Sequence, residues 1–252
     1  MTVRELYAAL EQRIPRALSC DWDNDGLMCC PDGEAQVRRV LVALDVTAQI
    51  VRAAIDGGYD LIVSHHPMIF RPLRAMEDGN YVARRAIELT RAGISVMSFH
   101  TRLDAVTGGV NDTLAALLGL TDVSPFGDGI GRIGSLPNET TLCDFAETVK
   151  SALGVPRLLV GDASRPVRRV ALLGGNGSDD VPAALGAGAD TYLSGELAYH
   201  HLCEAPEMGM NLLAAGHFHT EDPVCETLRA WLLSVDPSLA VDRFESCRVT
   251  LL

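Results

Sequence analysis

The sequence predicts an α/β protein made of two similar domains with mainly parallel sheets and a metal site in the cleft between them. Three observations predict it. Short apolar runs alternate with stretches of helical periodicity. One strand–helix–strand stretch recurs later in the chain. The strands of both copies run into histidine or carboxylate residues.

The first helix is announced by Thr2 followed by Glu5, a capping-box pattern, and by Val3, Leu6, Tyr7, Leu10 and Ile14 at helical spacing. Asp21–Leu27, DWDNDGL, reads first as a solvated turn, with carboxylates that orient a site as the alternative. Arg39–Leu44 reads as a strand, Ala48–Gly57 as a helix stopped by Gly57-Gly58, and Leu61–Val63 as a buried strand ending at Ser64, His65, His66 and Pro67. Pro67 blocks further ladder pairing, so two imidazoles sit at a strand end, where open α/β sheets bind ligands. Taken alone, the pair reads first as a metal or catalytic centre, with capped surface histidines as the lesser alternative.

Tyr81–Ala92 is helical and closed by Gly93. Ile94–Phe99 is strand-like and leads to His100, Thr101 and Asp104, and Gly108–Asp112 leads into a helix over Thr113–Leu118. Crossovers longer than about ten residues between strands imply parallel pairing. Thr121–Thr140 is rich in glycine and proline without a clear period and reads as the boundary between halves, giving domains over 1–125 and 126–252, with a C-terminal segment able to pack back on the first. Thr141–Leu153 is a helix with Thr140 or Thr141 as N-cap, and Arg157–Val160 and Arg169–Leu173 are strands. The glycine-rich Gly174–Asp180 reads as a tight turn. It has no Gly-Lys-Ser/Thr ending, and Asp179 and Asp180 would repel phosphate.

The repeat is specific. Val37–His66 aligned with Val167–Glu196, at a constant offset of 130 and without gaps, gives ten identities in thirty positions. Average compositions would give about two. Val37-Arg38-Arg39-Val40 recurs as Val167-Arg168-Arg169-Val170, Asp60 as Asp190, and Ser64 as Ser194. His65 and His66 fall opposite Gly195 and Glu196, and Leu212–Ala215 leads to His217 and Glu221 as Val96–Phe99 leads to His100 and Asp104. Two such units facing each other would gather four strand ends in one cleft, a favoured place for a small-molecule site.

Composition narrows the function. The 252 residues carry a net charge of −12, which argues against non-specific nucleic-acid binding. The seven cysteines are scattered and form no C-x-x-C pair, so reduced thiols in a cytoplasmic protein are expected. Charges interrupt Met1–Cys20, so no signal peptide is expected, and no apolar run reaches the roughly 18 residues of a membrane span.

All seven histidines lie near these strand ends. The best ligand set is His65, His66, Asp104, His217 and Glu221, a mixed imidazole and carboxylate sphere that suits two divalent ions of zinc, iron or manganese. Side chains that alternate along a strand would let His65 and His66 serve one ion each. A carboxylate such as Glu221 can bridge two ions, which together could ionise a shared water to hydroxide. His217 and Glu221 are four apart and share a side if a helix begins there. His100 and His201 are candidates for proton transfer or orientation, with a structural role as the alternative. Glu196 is a candidate acid/base group, substrate contact or helix cap. His200 and His219 read as structural.

At these residues the chain resembles the NGG-interacting-factor-three-like family, also called GTP cyclohydrolase 1 type 2 homologues. The matching pieces are WDNDGL at Trp22–Leu27, SHHPMIF at Ser64–Phe70, HTRLDAVTGGVND at His100–Asp112, GIGRIG at Gly129–Gly134 and GHFHTE at Gly216–Glu221. The resemblance implies two α/β domains around a dinuclear metal centre with the same five ligands, ring-shaped homohexamers, and the short bacterial form of the family. It departs from the family at Met28–Cys30, Arg102 and Asp179-Asp180, which bears on the substrate rather than the metal ligands. The expected function is a metal-dependent hydrolase, GTP cyclohydrolase-like in name, acting on a nucleotide-like or other small substrate. The alternative is a non-enzymatic metal-binding, metal-delivery or regulatory ring.

Overall fold

The computed structural model describes residues 1–249. The chain forms two compact units, Met1–Val106 with the segment from Val224 onward, and Thr107–Pro223.

The first unit opens with α1 (Val3–Arg13), whose capping box between Thr2 and Glu5 is formed as expected. A 3-10 turn over Arg16–Leu18 leads to the short strand β1 (Gly26–Cys29). Then follow β2 (Arg39–Ala43), α2 (Ala48–Asp56), β3 (Leu61–Ser64), α3 (Tyr81–Ala92), β4 (Ser95–Ser98) and α4 (Thr101–Ala105). The late segment adds α10 (Val224–Val235) and β11 (Ala240–Arg243), and the sheet order is β1-β4-β3-β2-β11. Strands β4, β3, β2 and β11 run parallel, and β1 closes one edge antiparallel. Strands β3 and β4 are buried along their whole length, which explains their unbroken apolar character at Leu61–Val63 and Val96-Met97. Leu41, Ala43, Ile62 and Val96 pack on one face with Ile50, Val51 and Leu89 from α2 and α3.

The second unit contains α5 (Val110–Leu117), β5 (Thr121–Phe126), β6 (Gly131–Thr140), α6 (Leu142–Leu153), β7 (Leu159–Gly161), β8 (Val167–Asn176), α7 (Val181–Gly186), β9 (Thr191–Glu196), α8 (Tyr199–Glu207), β10 (Asn211–Ala214) and α9 (His217–Glu221). Its sheet order is β5-β6-β8-β9-β10-β7. Only β8-β9 and β9-β10 pair in parallel; the other three pairings are antiparallel. Val170 and Leu172 face a core with Phe145 and Val149, while Ala171 and Leu173 face another with Val181 and Tyr192. This period-two split shows a sheet covered on both faces.

Two differences from the sequence reading have local causes. Thr121–Thr140 is not a linker but an antiparallel pair, masked by its glycines and prolines. At Gly131 a Cβ would lie 2.2 Å from the Phe126 ring, so the glycine admits that ring to the core. The units divide at 106/107 rather than 125/126, because α5 packs on β6 and β8. The segment from Val224 onward lies with the first unit, a placement the sequence reading allowed for, and β11 extends the sheet beside β2.

The repeat extends to the hydrogen-bond ladder. Val40 pairs with Leu61 through Ala43 with Ser64; 130 residues later, Val170 pairs with Thr191 through Leu173 with Ser194. Asp60 accepts from the backbone N–H of Arg38 and Arg39, both at 2.8 Å, and Asp190 accepts from those of Arg168 and Arg169 at 3.0 and 2.7 Å. The similarity continues past the aligned stretch: α4 and α9 are both five-residue helices beginning three residues after a strand, β4 or β10.

Candidate metal centre

In the first unit, β3 stops at Ser64, whose hydroxyl lies 2.8 Å from that of Ser98 on β4. His65 and His66 therefore lie just beyond the ladder, and strand alternation does not separate them. Their ring centroids are 4.9 Å apart. His65 is fully buried, with Nδ1 2.9 Å from the Phe99 carbonyl oxygen. A carbonyl only accepts, so Nδ1 carries the proton and Nε2 carries the lone pair. That Nε2 lies 3.6 Å from Oδ1 of Asp104 on α4. His66 follows the same rule, with Nδ1 2.7 Å from Asp45 Oδ1.

His100 joins them. Its ring lies 5.4 Å from that of His65 and 5.8 Å from that of His66. One ring nitrogen from each of the three comes within 4.8 Å of the others, a grouping able to hold a metal ion. His100 Nδ1 donates to Asp23 Oδ1 at 2.9 Å, and the other Asp23 oxygen accepts from the Thr101 N–H and hydroxyl at 3.0 and 2.7 Å. Burial pushes the Asp23 carboxyl up, but the bonds from His100 and Thr101 outweigh it and hold the group at about 2.

The DWDNDGL stretch is thus no solvated turn. Asp23 and Asp25 are both buried, and Asp25 accepts from the His100 backbone N–H at 3.1 Å and pairs with Arg102 Nε at 2.9 Å. Arg102 itself is fully buried, pairing also with Glu11 at 3.1 Å and lying 4.7 Å over the Phe99 ring. Its burial and these pairings tie Arg102 to the fold of the first unit.

In the second unit, β10 leads through Gly216 into α9, which begins at His217. The i,i+4 spacing places His217 Nε2 3.1 Å from Glu221 Oε2. Glu196, at the end of β9, accepts from His217 Nδ1 at 3.2 Å. The glycine-rich run is not a simple turn, for β8 continues to Asn176. Gly175, at φ +69°, lies where a Cβ would fall 2.1 Å from Glu221 Oε1 and 3.1 Å from His217 Nε2. Its N–H donates to Thr220 Oγ1 at 3.0 Å. His201 lies on α8, its ring 4.1 Å from that of His200, and joins no cluster of metal-ligating atoms among the described residues.

Sequence reasoning missed Asp45 and Gly175, and gave the Asp21–Leu27 carboxylates an orienting role only as the alternative to a solvated turn. The strand-end position of Asp45, at the close of β2, hinted at its role.

The family described as Duf34/NIF3 (NGG1p interacting factor 3) matches residues 1–246. The chain belongs to the DUF34/NIF3 family. Among its relatives, a protein named GTP cyclohydrolase 1 type 2 homolog from Clostridium perfringens is 35% identical over 232 residues, covering 89% of this chain and 88% of that protein. One of the same name from Lactococcus lactis is 35% identical over 222 residues, covering 86% and 83%. The structure of TTHA1606 from Thermus thermophilus matches with a TM-score of 0.84 and 27% identity, covering 100% of both chains. Reduced HcgD from Methanocaldococcus jannaschii matches with a TM-score of 0.84 and 26% identity, covering 96% and 97%. As a DUF34/NIF3 member, the chain has its α/β fold in company with solved relatives over its full length.

Proposed function

We propose that the protein is a dinuclear metal-dependent hydrolase of a nucleotide-like or other small substrate, with His65, His66, Asp104, His217 and Glu221 as ligands to one shared centre. One repeated observation carries this reading. His65, His66 and His217 each commit Nδ1 to an oxygen acceptor: the Phe99 carbonyl, Asp45 and Glu196. That commitment fixes the tautomer and orients Nε2 as a ligand atom, the usual outer-shell arrangement around metal-binding histidines. Gly175 adds a second fit, since it leaves room for the Glu221 carboxylate beside His217.

Five donors, three imidazoles and two carboxylates, suit two ions of zinc, iron or manganese better than one. Bound divalent ions would supply Lewis acidity and a water acidic enough to ionise near neutral pH. The remaining roles belong to side chains. Asp45 and Glu196 orient His66 and His217. His100, held by Asp23, offers Nε2 to carry a proton to or from substrate, and His201 is a second candidate for that task. The relatives' name suggests a guanine nucleotide, and the proposed chemistry is water addition to an electrophilic carbon or phosphorus.

The test is turnover of nucleotides and phosphoesters by metal-replete protein beside the His65→Ala and Glu221→Ala variants. Hydrolysis that disappears in both variants is expected. Turnover that survives ligand loss would overturn the proposal, and metal retention without turnover on a broad panel would favour a metal-binding role.

A further inference from the structure

The segment immediately after the His65-His66 pair builds a second feature. Between β3 and α3 lies a cavity of about 640 Å³ in the first unit. Phe70, Arg71, Arg74, Tyr81 and Arg85 are among the residues that line it, and Glu77 is its only lining carboxylate. In a chain of net charge −12, three guanidinium groups against one carboxylate make a local reversal of sign. Arg71 and Arg74 are exposed, and neither has an ion pair with a carboxylate among the described residues. Arg85 lies 5.0 Å over the Tyr81 ring. Unspent guanidinium groups converging on a cavity are suited to phosphate oxygens, which they bind in a fork.

Phe70 also belongs to an aromatic cluster that reaches the candidate metal centre. It lies 6.2 Å from Trp22 and 5.9 Å from His100, edge to face in both cases, and Trp22 lies 6.2 Å from His100. Trp22 is 64% exposed and Phe70 46%. Large aromatic faces left in water beside a site, and held by their neighbours, form a stacking platform for a planar ring.

We propose that Trp22, Phe70 and the Arg71–Arg74–Arg85 cavity form one recognition site for a planar aromatic ring bearing a polyanionic substituent, the chemistry of a nucleoside polyphosphate. Phe70 belongs to both parts and joins them. Its service as the substrate-recognition end of the centre rests on the hydrolase reading; the binding itself does not.

Trp22 supplies the readout, because the only other tryptophan, Trp231, is buried. Metal-stripped full-length protein is titrated with GTP, guanosine and inorganic tripolyphosphate, following tryptophan fluorescence and, independently, binding heat. GTP is expected to quench Trp22, the quench to vanish in Trp22→Phe, and the GTP Kd to rise at least tenfold in Arg71→Ser/Arg74→Ser. The affinity of the unaltered protein should also fall steeply with salt, a test that needs no variant. GTP should bind the metal-stripped protein, which separates this site from the metal centre. GTP binding that is absent, salt-independent or unchanged in the arginine variant would overturn the proposal. So would tripolyphosphate or guanosine binding as tightly as GTP, or an arginine variant that changes only the oligomeric state.

Discussion

Asp45 bonds His66 at 2.7 Å and so orients a proposed ligand. Asp45→Ala is expected to weaken metal affinity about 10–100-fold while leaving the fold intact, measured by competition with a chromogenic chelator. Asp23 acts one step further out, through His100. Its carboxyl is held near 2, below the roughly 3.9 of an unfolded chain, so its contribution to stability is complete above about pH 4 and is lost as pH falls toward 2. Asp23→Asn should flatten the stability profile in that window, as read from urea melts at successive pH values. At this scale the proposed histidine ligands stand out because each follows a strand end, as Pro67 marks for His66. The partners of the orienting groups were not legible, since Asp23 and His100 meet across 77 positions and no local pattern records the pairing.

Short helices at the ends of β4 and β10 carry the candidate carboxylates, and buried polar groups fix both helices in place. Arg102 on α4 links Asp25 and Glu11. Arg102→Met is expected to cost about 3 kcal/mol or more by stranding buried Asp25, measured by denaturant unfolding. On the other unit, Gly175→Ala should destabilise and displace Glu221, because its Cβ has neither room nor a permitted φ. Its expected signature is lost metal affinity beyond that of Asp45→Ala, seen in the same chelator competition. Helices with strong caps were readable: Asn80 caps α3 and Gly93 ends it in the left-handed conformation. Strands β5 and β6 were not, because Pro125, Gly131, Gly134 and Pro137 carry loop chemistry while tertiary packing imposes the ladder.

For the whole molecule, the thirty-residue repeat was the most informative sequence signal, and its two copies share one ladder register. The boundary between units was less legible, since α5 packs on β6 and β8 while Thr121–Thr140 carries loop chemistry that hides the β5-β6 pair. No described helix is long and apolar enough to cross a membrane. We propose a homohexamer, as the family resemblance implies, and light scattering coupled to gel filtration should return about six times the 27.0 kDa chain mass. Metal content tests the proposed dinuclear centre most directly. Elemental analysis of protein purified anaerobically should give about two divalent ions per chain, falling by at least one in His65→Ala and in Glu221→Ala alike. A metal-free protein, or variants that keep the full complement, would contradict it.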